Sequence, residues 1–85
     1  MTSLPVRVML TDVWDEFRLE LPSDTPLSQV KQRVLELGRV SDDPSQYVVK
    51  YRGAHLADEG KSLAELGIVR NAALIMLPRR RQPVR

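Results

Sequence analysis

Leu21-Pro22-Ser23-Asp24-Thr25-Pro26-Leu27-Ser28-Gln29-Val30-Lys31-Gln32-Arg33-Val34 changes its hydrophobic period part-way along. On entering it, Leu19 and Leu21 alternate with Arg18 and Glu20, the two-residue spacing of a strand with one wet face. On leaving it, Leu27, Val30, Val34 and Leu37 recur three or four apart, which is the core stripe of a helix. Thr25 before Pro26 reads as an N-cap followed by a proline at the first helical position. The hydroxyl accepts from an otherwise unpaired amide, and the proline gives up an amide that had no partner. The helix is expected over about 26–37, with Gly38 stopping it as a left-handed C-cap.

The flanking sequence supplies the sheet that such a helix needs. Val6, Val8 and Leu10 alternate with Arg7, Met9 and Thr11, so a first strand covers roughly 5–11. Asp12-Val13-Trp14-Asp15 is a short connection to a second strand, with Phe17, Leu19 and Leu21 inward and Glu16, Arg18 and Glu20 outward. The short gap makes the pair an antiparallel hairpin. Arg39 to Gln46 is a polar loop. Tyr47-Val48-Val49-Lys50-Tyr51-Arg52, bounded by Gly53, is a third strand with Val49 and Tyr51 inward. His55-Leu56 is a very short strand, and Ser62 to Ile68 is a helical turn with a Ser62/Glu65 capping box. Ala73-Leu74-Ile75-Met76-Leu77 is the last strand. So apolar a run is expected at the centre of the sheet, beside and parallel to the first strand, with little water on either face.

Composition limits the function classes. The chain of 85 residues makes one domain with one modest core. It has no cysteine, so no disulfide framework and no thiolate metal site. No apolar run approaches a membrane span, and the start lacks a signal-peptide pattern, so a cytoplasmic location is expected. Before Pro78, nine Lys and Arg face eleven Asp and Glu. Arg79, Arg80, Arg81 and Arg85 follow it. The expected organisation is a flexible start at 1–4, a domain at 5–78 and a basic flexible tail at 79–85. The tail reads as a solubilising end or as a contact for nucleic acid or an acidic partner.

The order of these pieces resembles ubiquitin and the ubiquitin-like β-grasp family. The matching residues are Leu21 to Thr25, Val30-Lys31, Tyr51-Arg52-Gly53-Ala54-His55-Leu56, and Ser62 to Ile68, with Asp58-Glu59-Gly60 in the turn before the last of these. The resemblance implies an α+β fold, a mixed four- to five-stranded sheet with one helix packed across it and a short helical turn before the last strand. A conjugating member ends in Gly-Gly shortly after the last strand, whereas here Pro78 is followed by arginines. A member that is not conjugated is therefore expected. The resemblance also implies a binding face on the open side of the sheet, where Lys50 stands at the position of ubiquitin's central isoleucine. Receptors of ubiquitin itself are not expected to bind it. Asp24-Thr25-Pro26-Leu27 is also similar to the helix start of the bacterial YukD-like proteins that accompany type VII secretion. The preference for Arg over Lys fits a GC-rich bacterial genome.

No chemistry can be assembled from the remaining candidates. His55 is the only histidine and has no cysteine or second histidine to work with. Asp42-Asp43 and Asp58-Glu59 read as hydrated turns rather than acid–base pairs. The isolated glycines make no phosphate loop. Trp14, at the hairpin tip, either folds back on the sheet edge or anchors a partner. No enzyme activity, cofactor or metal is expected.

The expected function is a non-catalytic adaptor that binds another protein non-covalently. Val48, Ile75, Leu77 and Trp14, with Met9 nearby, form its apolar centre. Lys50, Arg52, His55 and Arg79 surround it and steer a partner with an acidic rim. Two alternatives stand beside this reading. One is an accessory subunit of a secretion machine or multicomponent enzyme, YukD-like or monooxygenase-subunit-like. The other is nucleic-acid or acidic-partner binding through the arginine tail, which the acidic body disfavours. The oligomeric state is expected to be a monomer or a weak homodimer paired through sheet edges.

Overall fold

The computed structural model describes residues 3–79. The chain forms β1 (Ser3–Leu10), β2 (Asp15–Pro22), α1 (Leu27–Leu37), a 3-10 turn at Pro44–Gln46, β3 (Tyr47–Tyr51), β4 (Ala54–His55) and β5 (Ala72–Pro78). The five strands make one mixed sheet in the order β2-β1-β5-β3-β4, in which only β1 and β5 run parallel. β5 is therefore central and lies beside β1, as its apolar composition predicts.

Strand alternation sends one set of side chains toward the helix. Leu4, Val6, Val8 and Leu10 of β1, Leu19 of β2, Tyr47 and Val49 of β3, and Leu74 and Met76 of β5 are buried in one cluster with Leu27, Val30, Val34 and Leu35 of α1. Leu63 and Ile68, from the turn before β5, close one end of this core. Leu63 is placed by the Ser62/Glu65 capping box, in which each residue's backbone N–H donates to the other's side-chain oxygen.

Several local expectations are corrected. β1 begins at Ser3, and Leu4 is buried opposite Leu21, so residues 3 and 4 belong to the sheet rather than to a flexible start. Thr25 does not cap the helix. Pro26 is the N-cap residue and makes no side-chain capping bond. The first helical amides are satisfied from a distant loop instead: Leu27 N–H donates to the Lys61 carbonyl and Ser28 N–H to the Glu59 carbonyl, both at 3.0 Å. Leu37 is 43% exposed, because the buried arc runs through Lys31 and Leu35 and leaves Leu37 beyond its edge. Tyr51 is only half-buried, and the short strand is Ala54–His55 rather than His55-Leu56.

The helix ends in a Schellman arrangement whose left-handed residue is Arg39, at φ +58, and not Gly38, at φ −83. Val40 N–H reaches the Leu35 carbonyl and Arg39 N–H the Glu36 carbonyl. Gly38 is needed for another reason: a Cβ there would stand 2.8 Å from Leu10 Cδ2, so the helix end lies directly on β1. The central strand is wetter than expected. Ala73 and Ile75 of β5 face water, because the helix covers one face of the sheet and, among the described residues, no element covers the other.

The one fully buried charged side chain among the described residues is Lys31. Its Nζ donates to the Tyr47 carbonyl at 2.6 Å and to Glu59 Oε2 at 2.7 Å. Glu59, expected as a hydrated turn residue, thus joins the loop after β4 to the helix and to β3. Truncating Glu59 leaves a buried ammonium with one acceptor, whereas Lys31→Met removes the charge itself. Glu59→Ala is expected to destabilise the fold by about 3 kcal/mol and Lys31→Met by less than half of that. Urea-unfolding midpoints of the two variants test the ordering. Gly38→Ala should cost about 1 kcal/mol through the Leu10 contact. Arg39→Gly should stabilise by up to about 1 kcal/mol by relieving the left-handed backbone. Equal effects at the two positions would contradict this assignment.

Candidate functional site

The face of the sheet opposite α1 is built by the other half of the alternation. Strand register sets its side chains in rows, since directly paired residues point to the same side. One row crosses the whole sheet, from Glu16 to Met9, Ile75, Lys50 and His55. Ile75, at its centre, is 46% exposed, Met9 is partly exposed, and Lys50 and His55 are exposed. The next row pairs Leu77 with Val48. Leu77 is partly exposed, but Val48 is only 7% exposed, although it lies outside the core under the helix. A short branched side chain with Leu77 opposite it and Lys50 two residues along the same strand loses its water to longer neighbours. Val48 therefore supports this face from beneath rather than presenting itself.

The structure does not bring all the expected residues into one patch. Arg52 lies at the far end of β3, in the two-residue Arg52-Gly53 turn to β4. Both residues have positive φ, the geometry of a type I′ hairpin, and the guanidinium lies 5.4 Å from the Tyr51 ring centre. Trp14 lies at the other end of the sheet, in the β1–β2 loop, and is 75% exposed. Arg79 is at Trp14's end, where its N–H donates to the Gln46 carbonyl at 2.6 Å and its Nε to the Ser45 carbonyl at 3.0 Å. These bonds hold the strand end to the turn before β3. The rest of the expected basic tail lies outside the described residues.

Two arginines belong to this face that were not singled out from sequence. Arg7 and Arg18 are directly paired across β1 and β2, and Arg7 Nη1 lies 3.7 Å from Glu16 Oε2. Their outward place in the strand alternation was the available signal. Their juxtaposition needed the register. With Lys50 they put basic side chains on both sides of the Met9–Ile75 centre, Glu16 lying beside Arg7 on one of them.

The acidic pairs also do more than hydrate turns. Tyr47, buried in β3, donates its hydroxyl to Asp12 of the β1–β2 loop, and Asp42 Oδ2 lies 3.2 Å from the same oxygen. Asp12, Asp42, Gln46, Tyr47 and Pro78 line a cleft of about 300 Å³ there. Burial, and then hydrogen bonding to Asp12, push the Tyr47 phenol well above its ordinary range. Asp43 accepts from Ser45 N–H, which caps the 3-10 turn and lowers its carboxyl pKa. Asp58 accepts from Gly60 N–H. Among the described residues, no group of three or more His, Cys, Asp and Glu is placed to hold a metal ion. No helix there is long and apolar enough to cross a membrane.

No family model matches the chain, and no curated protein matches it. Solved structures do. The ubiquitin-like domain of an Arabidopsis thaliana protein superposes with a TM-score of 0.79 at 18% identity, over 100% of this chain and 86% of that one. Caldiarchaeum subterraneum ubiquitin gives 0.78 at 16% identity, over 96% of this chain and 100% of its own. A protein designed on the basis of ubiquitin gives 0.77 at 20% identity, over 98% and 96%. The fold is the ubiquitin-like β-grasp. The likeness is one of fold, and these structures do not bear on the resemblance to the YukD-like group.

The Tyr47 contact has a pH signature. Because the folded-state pKa is raised, the hydroxyl's contribution is complete below the unfolded value of about 10 and is lost as pH climbs through the folded value. Tyr47→Phe is expected to cost about 1 kcal/mol at neutral pH. Its deficit relative to the unsubstituted protein should shrink in strongly alkaline solution. Chemical denaturation at neutral and alkaline pH measures this, and a deficit independent of pH would exclude the assigned hydrogen bond.

Proposed function

We propose that this protein is a non-catalytic protein-binding module, an adaptor that acts without being conjugated and that uses the open face of its sheet. The observation that carries this reading is Ile75. It lies on the central strand, in the middle of a face that no element covers among the described residues, and it is 46% exposed between Met9 and Lys50. An exposed apolar centre rimmed by charge is the usual composition of a docking site. Lys50, His55, Arg7 and Arg18 supply a basic rim, which favours a protein partner with an acidic surround and speeds its encounter. Leu77 extends the apolar centre toward the hairpin end, over Val48.

The reading as a non-conjugated module is supported by the residues that leave β5. Residues 79–85 contain no glycine, whereas a conjugating protein of this fold carries Gly-Gly shortly after its last strand, and Arg79 is tied back to Ser45 and Gln46. Lys50 in the central row also replaces the apolar group that ubiquitin's receptors bury, so the partner is a different protein. A soluble, cytoplasmic setting accords with this role.

Affinity capture from native cell lysate tests the proposal with three baits: the full chain, the Lys50→Glu/Ile75→Ala variant, and a chain ending at Pro78. Both altered side chains lie outside the core, so far-ultraviolet circular dichroism should not change, and the melting temperature should fall only slightly through the loss of Ile75 from the central strand. A partner that binds this face should lose at least tenfold in affinity, about 1.4 kcal/mol, on the double change, and should be retained by the shortened chain. Capture that survives the double change would place binding elsewhere. Capture lost with the tail, or replaced by nucleic acid, would move the function to the arginines.

A further inference from the structure

Two exposed features remain once the open face has been assigned, and they lie at opposite ends of the sheet. The first is a knob. In the β1–β2 loop Val13 is 41% exposed and Trp14 75% exposed. Trp14 N–H closes the turn onto the Thr11 carbonyl at 3.2 Å, which sets Trp14 at φ +53. A bulky residue in the left-handed region is a backbone outlier. One residue thus carries two costs, a strained backbone and an indole in water, and it does not join the core cluster that would offset them. Its acidic neighbours Asp12, Asp15 and Glu16 are exposed; Asp12 also accepts from the Tyr47 hydroxyl and Glu16 lies beside Arg7, which leaves Asp15 without a partner among the described residues.

The second feature is a socket of about 420 Å³ between the end of β3, the start of β5 and the loop before it. Tyr51, Arg52, Val69, Arg70, Asn71 and Ala73 line it. Val69 is 55% exposed. Among the described residues neither Arg52 nor Arg70 has a carboxylate partner. It is an open depression rather than an enclosed cavity, with room for a single indole to lie against it. Arginine guanidinium groups beside a tyrosine ring are a favourable lining for one.

Register places the two apart. Val6 pairs with Ala72, at the socket, and Leu10 with Met76, at the knob. The knob follows Leu10, so it lies at the opposite end of the sheet from the socket of its own chain. We propose that the two are halves of a single contact between copies. In this contact Trp14 of one molecule fills the Tyr51–Val69 socket of the next, and Asp15 beside it opposes Arg52 and Arg70. The occupant is a second copy because one chain carries both an acidic apolar knob and a basic apolar socket, so that each complements the other in charge. A lipid surface is a poor alternative, since the acidic flanks are repelled by anionic headgroups. Because knob and socket are different surfaces, the contact is heterologous and repeats head to tail, growing into an open chain unless its rotation closes a ring. The contact uses none of Met9, Ile75, Lys50 or His55, so it stands or falls separately from the open-face proposal.

Sedimentation equilibrium of the full chain at low ionic strength, over a wide concentration range, tests this. The expected result is a weight-average mass that rises past twice the monomer mass and falls back when salt is added. Trp14→Ala removes the knob, and Arg52→Glu with Arg70→Glu inverts the socket. Each variant alone should sediment as a monomer. Mixed in equal amounts, each supplies the half that the other lacks, and the mixture should stop at a heterodimer. If the double charge reversal disturbs folding, as circular dichroism would show, Arg70→Ala takes its place in the mixture. The proposal is overturned if the unsubstituted protein stays monomeric at the highest concentration. It is equally overturned if Trp14→Ala still assembles, or if the mixture forms no dimer. Assembly that persists in Trp14→Ala would point to pairing along the β2 edge or the open face.

Discussion

Lys31 is the point on which the two sides of the molecule are joined. A lysine on the inner stripe of an amphipathic helix would ordinarily be expelled to solvent, because an unpaired ammonium in a low-dielectric core is very costly. Here it is retained because the chain delivers two acceptors to the same spot: the Tyr47 carbonyl at the start of β3 and the Glu59 carboxylate in the loop after β4. That loop also receives the first two amides of the helix, through the Glu59 and Lys61 carbonyls. One connection therefore caps α1 from outside, neutralises its buried charge and ties it to β3. The helix is held in register with the sheet by polar contacts as well as by its apolar stripe, and these contacts are directional, as burial is not.

Among the described residues, fixing the helix on one face leaves the other face of the sheet uncovered, and the proposed function rests on this. A domain with a single helix cannot cover both faces of a five-stranded sheet. The central strand β5 alternates accordingly, with Leu74 and Met76 buried and Ala73 and Ile75 wet. The row from Glu16 to His55 exists only because β1, β5, β3 and β4 are aligned with these registers. A slip of one residue in any of them would exchange its inner and outer sets. The same rigidity holds the two ends of the sheet apart, so that Trp14 and the Tyr51–Arg70 depression lie at opposite ends of it.

Much of this was legible in the chain. The change of period at Leu21 to Val34 located a strand and a helix, and the alternations before and after it located the sheet. The apolar run Ala73 to Leu77 correctly predicted a central strand parallel to the first. The errors cluster where a residue's role depends on something distant in sequence. Thr25 and Gly38 have the composition of caps, but the loop at 59–61 does the work expected of Thr25. Gly38 is a glycine because Leu10 approaches it, while Arg39 takes the left-handed position. Val48 alternates outward as expected, yet it is 7% exposed, paired with Leu77 on another strand. Asp42, Asp43, Asp58 and Glu59 read as solvated turns until Tyr47, Ser45, Gly60 and Lys31 are brought beside them.

The sequence by itself determined which segments would be strand or helix, which face of each would be apolar, and that one helix and one sheet had to share a single core. These follow from periodicity and turn chemistry, which act over a few residues and are written locally. Only the tertiary structure decided which outward side chains become neighbours, which carboxylates find a partner, and that Arg52 and Trp14 stand at opposite ends rather than in one patch. Those outcomes depend on strand order and register, which are set by the closing of long loops and the packing of the whole core. No short stretch of the chain carries that information alone.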